Sequence, residues 1–402
     1  MRILQVNVVG ASGSTGRIVQ SLLRSLRERG HEGRIACGRD VPADGMAIGG
    51  RADVLRHVAL TRLSDRHGYG SRGATLAFLR QAEAYEPDLI HLHNIHGYYL
   101  HVGELFSWLK RSGVPVVWTL HDCWAFTGHC AYFDYAGCAR WQEGCRDCPQ
   151  RGAYPASLFL DRSAANWRDK RECFNGMPHL TLVTPSRWLA GLAGRSFLKG
   201  VPCRVIPNGV DTAVFQPRPG RERVRRQMGI SDGKRLYLAA ANVWEPRKGL
   251  AFLREMLPRL QADETLAVLG LENGRLPAPA LCLPRVERVE ELAELYGASD
   301  AFLNPTLEDN LPTVNLEALA CGTPVATFAS GGSPETVDAG TGRVCERGDA
   351  AGLLAAAREL AHGGEAVRAA CARRAAALYD ASRQSAAYVE LYEEILRDTR
   401  RT

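Results

Sequence analysis

Residues 303–326, which read LNPTLEDNLPTVNLEALACGTPVA, constrain the fold of this chain more than any other segment. The segment opens with a short apolar run that ends at Pro305 and continues into a polar turn with Glu308, Asp309 and Asn310. A helical run follows, and a Gly-Thr-Pro break separates it from a second apolar run. This order predicts one β-loop-α-β unit.

Two carboxylates of this unit, Asp309 and Glu317, are eight positions apart. At 3.6 residues per turn, Glu317 comes about two turns after the helix entry, on roughly the same face. Backbone N–H groups around residues 310–313 are expected to point away from the start of the helix, which suits a phosphate group. Carboxylates beside such a site suit a ligand that also carries sugar hydroxyls. The alternative is that Asp309 and Asn310 only cap the helix and that Glu317 is a surface charge.

The N-terminus predicts a second ligand-binding βα unit. The buried-type strand RILQVNVV is followed by the glycine loop GASGSTG, with Gly13 and Gly16, and then by an amphipathic helix. A helix N-terminus behind such a loop suits a phosphate-bearing ligand. The string VVGASGSTGR is also similar to that of some NAD(P)-binding reductases, so a Rossmann dinucleotide-binding protein is the alternative. Against it, no Tyr of the chain is followed four positions later by Lys.

Polar residues follow two further predicted strands of the first half. The strand in PDLIHLHN leads to His93, and the strand VPVVWTL leads to His121 and Asp122. At the carboxyl edge of a parallel sheet these side chains would face a ligand crevice. They are therefore candidate site residues.

A cysteine cluster follows in the segment GHCAYFDYAGCARWQEGCRDCP. Cys130, Cys138, Cys145 and Cys148 lie within it, and the last two form a C-x2-C pair, a common metal-knuckle spacing. Twelve cysteines in a chain expected to be cytosolic argue against a disulfide framework. The cluster predicts a structural zinc ion; the alternative is four thiols packed as small hydrophobic groups.

Several strings together resemble one enzyme family: residues 303–326, HLHNIHGYY, WTLHDCWAFTGHCAYF and VTPSRWLA. The chain resembles the retaining glycosyltransferases of family 4, particularly those of colanic-acid and exopolysaccharide biosynthesis. The resemblance implies an α/β fold of the GT-B type, with two facing Rossmann-like domains and the active site in the interdomain cleft. It also implies transfer of a sugar from a nucleotide-diphosphate sugar to an acceptor hydroxyl.

The resemblance assigns roles to individual residues. The implied catalytic residues are His121, Lys248, Asp309 and Glu317. The implied donor-binding residues are Gly13, Gly16, Arg247, Lys248, Asn310, Leu311, Pro312, Thr313 and Glu317. His93 and Asp122 are candidates for the acceptor side. The chain departs from the family pattern in having Asp309 where Glu is usual.

A second departure is that Asn242 and Val243 precede Lys248 where the family commonly supplies an arginine. No catalytic metal is expected, since the chain has no Asp-x-Asp triplet and enzymes of this fold neutralise diphosphate with helix dipoles and basic side chains.

The predicted domains are residues 1–207 for the acceptor, residues 208–380 for the donor, and a helix in 381–402 that crosses back to the first domain. No run approaches the roughly 18 consecutive apolar residues of a transmembrane helix, and the N-terminus reads as a strand rather than a signal peptide. We therefore expect a cytoplasmic enzyme.

The positive charge of the chain is uneven. Residues 1–80 contain 13 Arg and no Lys against 6 acidic residues. Arginines 51, 56, 62, 66 and 72 alternate with aliphatic residues there and predict contact with an anionic membrane surface. The alternative is an arginine-rich composition, because only 5 of the 50 basic residues are Lys. The expected acceptor is a lipid-linked saccharide, with a soluble acceptor as the alternative, and no nucleic-acid partner is expected.

Overall fold

The computed structural model describes residues 1–272 and 275–399, and residues 400–402 of the predicted C-terminal segment lie outside the described part. The chain divides into two units. The first contains Met1–Ile206 and Gln384–Thr402, and the second contains Pro207–Arg383. Each unit is built on its own parallel sheet.

The sheet of the first unit has seven described strands in the order β3-β2-β1-β4-β5-β6-β7, all parallel to their neighbours. The strands are β1 (Arg2–Val9), β2 (Glu32–Arg39), β3 (Met46–Ala47), β4 (Leu89–Leu92), β5 (Val116–Thr119), β6 (Leu180–Thr184) and β7 (Cys203–Val205). β4 and β5 are buried on both faces, as expected for a parallel sheet covered by helices.

The helices of the first unit cover this sheet. They are α1 (Gly13–Glu28), α2 (Arg51–Ser64), α3 (Arg72–Tyr85), α4 (Val102–Ser112), α5 (Ser163–Phe174) and α6 (Arg187–Ala193). The C-terminal helix, Ala381–Thr399, belongs to this unit from Gln384 onwards. Its buried residues Tyr388, Val389 and Tyr392 pack with Ile3 and Val117 of the sheet.

The second unit repeats the architecture with six described strands in the order β10-β9-β8-β11-β12-β13, again parallel throughout. The strands are β8 (Arg235–Ala240), β9 (Glu264–Leu269), β10 (Leu281–Leu283), β11 (Ala301–Asn304), β12 (Val325–Phe328) and β13 (Gly342–Cys345). The helices are α7 (Arg221–Gln227), α8 (Leu250–Met256), α9 (Val289–Ala298), α10 (Thr313–Ala320), α11 (Ala350–Ala361) and α12 (Gly364–Leu378). In chain order the C-terminal helix is therefore α13.

In both sheets the order in which strands are added reverses at the first strand. In the first unit the chain leaves β1 toward β2 on one side and returns to β4 on the other, and β8, β9 and β11 repeat the pattern. In open parallel sheets the ligand crevice forms at this switch point, outside the carboxyl ends of the strands. The predicted α/β fold of two Rossmann-like units is confirmed. Among the described residues, no helix is long and apolar enough to span a bilayer.

Candidate functional site

Lys248 and Asp309 meet at the switch point of the second unit. Lys248 ends the 3₁₀ turn Pro246–Lys248 that follows β8, and Asp309 lies in the loop that follows the neighbouring strand β11. The Lys248 Nζ atom is 2.6 Å from Asp309 Oδ2, and both side chains are partly exposed. The two residues that the sequence assigned to different parts of a ligand are thus partners of each other.

The two loops pack closely because of glycine. Gly249 has a φ of +81°, and a Cβ atom there would lie 2.0 Å from the carbonyl oxygen of Pro305. The N–H of Leu307 donates to the carbonyl of Arg247 over 2.8 Å, and Arg247 Nη1 donates to the carbonyl of Glu308 over 3.2 Å. Arg247, a predicted donor-binding residue, therefore contacts the backbone of the Asp309 loop.

The loop after β12 supports Asp309 from the other side. Gly331 has a φ of +55°, and a Cβ atom at this position would lie 1.7 Å from the carbonyl oxygen of Asp309. The N–H of Gly332 donates to that same carbonyl over 3.2 Å. The backbone of Asp309 is therefore fixed by a contact that only glycine permits.

Burial distinguishes Asp309 from its neighbour. The Glu308 residue is 1% exposed, whereas the Asp309 side chain is 16% exposed and holds Lys248. The structure therefore places the Asp309 carboxylate beside Lys248 and buries its neighbour Glu308. The register of Asp309 with Glu317 stays a prediction from sequence spacing.

Helix α10 begins at Thr313, with Pro312 rather than Asp309 or Asn310 at the N-cap position. Pro312 makes no side-chain cap hydrogen bond, and no acidic residue lies in the first turn. The amide groups at the start of α10, beginning with the half-buried Thr313, have the orientation that binds anions. Asn310 and Leu311 are buried at the same end of the helix.

Glu317 is buried rather than a surface charge. It is 5% exposed and accepts a hydrogen bond from the hydroxyl of Tyr296 over 3.1 Å. Burial, together with the charge of Glu317, raises the pKa of the neighbouring Cys321 thiol to about 12. The surface-charge alternative is wrong, and the second carboxylate of the predicted pair belongs to the buried part of α10 itself.

The glycine loop of the first unit precedes an uncapped helix. Ser12, at the N-cap of α1, hydrogen-bonds through its hydroxyl to Asp40 rather than to the helix, and the first turn has no acidic residue. Gly13 has a φ of +68°, and a Cβ atom on Gly16 would lie 2.5 Å from the backbone of Ala11. The loop is exposed, so α1 offers a second anion-binding N-terminus.

His121 belongs to a hydrogen-bonded row at the switch point of the first sheet. His93 Nδ1 lies 3.2 Å from His121 Nε2, and His93 Nε2 lies 3.3 Å from Gln5 Oε1. The Gln5 amide donates to the carbonyl of Val19, so its oxygen faces His93 as an acceptor. A neutral His93 must then be protonated at Nε2 and accept at Nδ1, which makes His121 a donor through Nε2–H. The lone pair of His121 is therefore on Nδ1.

These histidines are neutral at pH 7. Burial lowers the pKa of His121 to about 4 and the pKa values of His91 and His93 well below their ordinary range.

Asp122 accepts from His96 over 2.8 Å, and His96 Nδ1 lies 2.9 Å from the hydroxyl of Tyr154. Although burial opposes it, His96 and the amide of Trp124 hold the pKa of Asp122 below its ordinary value.

Gln5, His96 and Tyr154 did not emerge from the sequence. Gln5 lies within an apolar strand, and Tyr154 is separated from the sheet by the cysteine segment. A signal existed only for His96, because it falls in the run HLHNIH beside His93.

The four predicted zinc ligands lie close together in the structure. Cys130, Cys138, Cys145 and Cys148 line a single cavity together with His129. As the side chains stand, no group of three or more His, Cys, Asp or Glu residues in the described part of the chain is arranged to hold a metal ion.

Comparison with known proteins gives matches to both units. A family model described as "Glycosyltransferase Family 4" matches residues 15–214, and one described as "Glycosyl transferases group 1" matches residues 234–362. A putative colanic acid biosynthesis glycosyl transferase of Escherichia coli K12, WcaC, is 25% identical over 360 residues, which are 85% of this chain and 87% of the relative. A GDP-mannose-dependent α-(1-6)-phosphatidylinositol monomannoside mannosyltransferase of Mycolicibacterium smegmatis is 33% identical over 197 residues, 44% of this chain and 51% of the relative.

Solved structures share the fold at low identity. Sucrose-phosphate synthase from Thermosynechococcus elongatus matches with a TM-score of 0.72 and 16% identity, covering 99% of both chains. Anabaena HepE in complex with UDP matches with a TM-score of 0.67 and 16% identity, covering 98% of this chain and 100% of HepE. WaaG, a glycosyltransferase of lipopolysaccharide biosynthesis, matches with a TM-score of 0.64 and 17% identity, covering 97% and 99%.

Proposed function

The chain belongs to the GT-B glycosyltransferases of family 4, and on that premise we propose that it transfers a sugar from a nucleotide-diphosphate sugar to an acceptor hydroxyl with retention of configuration. The bond from the anomeric carbon to the diphosphate breaks, the acceptor oxygen bonds to the same face of that carbon, and the acceptor's hydroxyl proton passes to the leaving diphosphate. The acceptor is a lipid-linked saccharide of surface polysaccharide assembly. Family membership favours this activity over the NAD(P)-binding alternative.

One observation carries the proposal: Lys248, Asp309 and the start of α10 lie together at the switch point of the second sheet. A leaving diphosphate gains negative charge in the transition state, and fixed donors aimed at that charge usually provide the largest catalytic term. Lys248 and the α10 amides are such donors. Asp309 is an acceptor for sugar hydroxyls, and Glu317 is an acceptor for the ribose. Arg247 supports the loop that carries them.

Donor binding requires Lys248 to exchange its partner. Its ammonium group pairs with Asp309. A diphosphate carries more charge than one carboxylate, so Lys248 turns to phosphate and leaves Asp309 available for hydroxyls. The ion pair thus keeps both side chains at the site before the donor arrives.

The first unit contributes a neutral histidine and an anion-binding loop. His121 has its lone pair on Nδ1, so this atom is a hydrogen-bond acceptor and suits a sugar hydroxyl. The loop with Gly13 and Gly16 provides the exposed N-terminus of α1 for a negatively charged group of a substrate. His93 fixes the tautomer of His121, and Asp122 remains a candidate for the acceptor side.

Thermal stabilisation by nucleotides tests the activity class. A ligand at 100 times its dissociation constant stabilises the folded state by about 2.7 kcal/mol. We expect UDP, GDP or ADP to raise the melting temperature and NAD⁺ to leave it unchanged. Solved relatives are described with UDP, UDP-glucose and ADP, which makes these three the first to test. Stabilisation by NAD⁺ alone would favour the alternative of an NAD(P)-binding Rossmann protein.

An apolar and basic face of the first unit supports a lipid-linked acceptor. Leu55, Leu60 and Leu63 are exposed along α2 beside the exposed Arg56 and Arg62. The neighbouring loop exposes three more apolar side chains, Leu158, Phe159 and Leu160. The two parts are connected, since the N–H of Leu158 donates to the carbonyl of Arg62 over 2.8 Å. Apolar groups between cationic ones are what an anionic lipid surface binds.

Two of the predicted arginines have other partners. Arg66 donates to Asp169 and Asn166 and lies over the ring of Tyr69, and Arg72 pairs with Glu104. The proposed membrane-facing set is therefore Arg51, Arg56 and Arg62, without Arg66 and Arg72.

Vesicle co-sedimentation tests the membrane surface. We expect binding to anionic vesicles at low salt, little binding at high salt and none to neutral vesicles, because the attraction fades within a Debye length. The variant Arg56→Gln/Arg62→Gln should weaken binding, and so should Phe159→Ser. Arg254→Gln, an exposed change in the second unit, is the control. Wild-type protein that stays in the supernatant at low salt would favour the soluble acceptor.

A further inference from the structure

The cavity beneath the segment 128–150 has the size of one small guest. Its volume is about 10 Å³, close to the space that a single water molecule needs. The side chains of Cys130, Cys138, Cys145 and Cys148 line it, with His129 beside them. The segment around it has little regular structure of its own apart from the 3₁₀ turn Arg140–Gln142.

Hydrogen-bond donors point at the sulfur atoms. The N–H of Gly128 donates to Cys145 Sγ over 3.1 Å, and the backbone N–H of Gln150 donates to the sulfur of Cys148. The Cys130 and Cys148 side chains also hydrogen-bond to each other. N–H groups aimed at sulfur stabilise a thiolate more than a thiol, and the thiolate is the form that binds metal.

A buried carboxylate–histidine pair adjoins the same cavity. His129 Nδ1 lies 2.5 Å from Asp65 Oδ1, and both side chains are inaccessible to solvent. The other ring nitrogen, His129 Nε2, is buried and has no hydrogen-bond partner in the described structure. A buried ring nitrogen without a partner is costly, and carboxylate–histidine pairs recur at metal sites.

We propose that the thiolates of Cys130, Cys138, Cys145 and Cys148 bind one Zn²⁺ in this cavity, next to the buried Asp65–His129 pair. Four thiols lose their protons as four sulfur–zinc bonds form, and no oxidant or reductant takes part. Four soft ligands in a closed site favour tetrahedral zinc. Since no group of three is arranged for a metal as the side chains stand, binding requires rotation of the thiols toward the cavity centre.

Metal analysis of the full chain, purified without chelator, is the first test. We expect about one zinc per chain, and less than a tenth of that in Cys145→Ser and Cys148→Ser. Cys203→Ser, an exposed cysteine of β7 far along the chain from the cluster, is the matched control and should keep its zinc. Wild-type protein without zinc, which takes up none from an equimolar solution, would overturn the proposal.

Wild-type protein gives a second test that does not depend on folding of the variants. X-ray absorption at the zinc edge should give a shell of four sulfur atoms, and cobalt substitution should give the visible bands of tetrahedral cobalt–thiolate. A shell with nitrogen ligands, or a Cys130–Cys148 disulfide in freshly purified protein, would overturn the four-thiolate site. His129→Gln should keep zinc but release it faster to a chelator. UDP binding, measured on the same samples, separates this outcome from the proposed transferase activity.

Discussion

At the scale of residues, the structure changes how the two charged groups of the donor site are understood. Sequence reasoning assigned Lys248 to phosphate and Asp309 to sugar hydroxyls as separate contacts. The 2.6 Å ion pair makes them competitors, because phosphate must take Lys248 from Asp309. This pairing could not be predicted from the sequence, since 61 positions separate the two residues and only the packing of the two loops joins them.

Opposite effects on nucleotide binding follow from this pair. Lys248→Ala should weaken UDP binding and slow transfer by roughly 10²–10³-fold, a typical loss for one fixed donor. Asp309→Asn should bind UDP as tightly as wild type or tighter, because it removes the competing carboxylate, but should also slow transfer. Calorimetric UDP titration and a sugar-transfer assay measure the two effects.

Two controls make this prediction specific. Lys234 is at the opposite end of β8 from Lys248. Lys234→Ala should change neither UDP binding nor the rate of sugar transfer. Glu308→Gln keeps the shape of a buried side chain and should also leave transfer near wild type. If Glu308→Gln were damaging and Asp309→Asn silent, the carboxylate register would be wrong by one residue.

At the scale of elements, the sequence predicted the β-loop-α-β unit well because its apolar runs, helical run and Gly-Thr-Pro break are local signals. The strand β11 ends within the predicted segment, the helix α10 lies inside it, and the strand β12 begins within it. What it did not predict was that Pro312 occupies the N-cap position, since Asp and Asn before a helix usually cap it. Nor did it predict that Gly331 supports Asp309 from the next loop, a contact between segments distant in the chain.

Substitution of Gly331 should therefore disturb the site without touching a charged residue. In Gly331→Ala the new Cβ atom would clash with the carbonyl of Asp309 at a φ of +55°, and left-handed backbone costs a non-glycine residue at least about 1 kcal/mol. We expect lower stability together with weaker UDP binding. Gly340→Ala, an exposed glycine with ordinary φ and no close neighbour, is the matched control. Gly331→Ala with wild-type UDP affinity would show that this contact does not fix the loop.

At the scale of the whole molecule, the two units differ in their titrating groups. Burial lowers the pKa values of seven histidines, and all seven lie in the first unit: His31, His57, His67, His91, His93, His101 and His121. For His57 the value falls to about 4, and its Nε2 accepts from the N–H groups of Gly68 and Gly70, which protonation would break. The second unit has His362 as its one histidine, on the surface.

The first unit should therefore lose stability in mild acid. Below pH 6.5 histidines of the unfolded chain become protonated, whereas His57 and His121 of the folded chain stay neutral until about pH 4. The free energy of unfolding therefore falls as the pH drops through this window. Each such group contributes up to about 1.4 kcal/mol per pH unit, and His129, whose pKa is raised, acts in the opposite direction.

Six of the 7 tryptophans lie before residue 207, so fluorescence reports mainly on the first unit. We expect the urea midpoint by fluorescence to fall steadily from pH 7 to pH 5. His57→Gln should make the decline shallower, and His362→Gln should leave it unchanged. A midpoint that stays constant over this range would mean that these histidines are protonated in the folded protein, and the neutral His121 acceptor would then have to be abandoned.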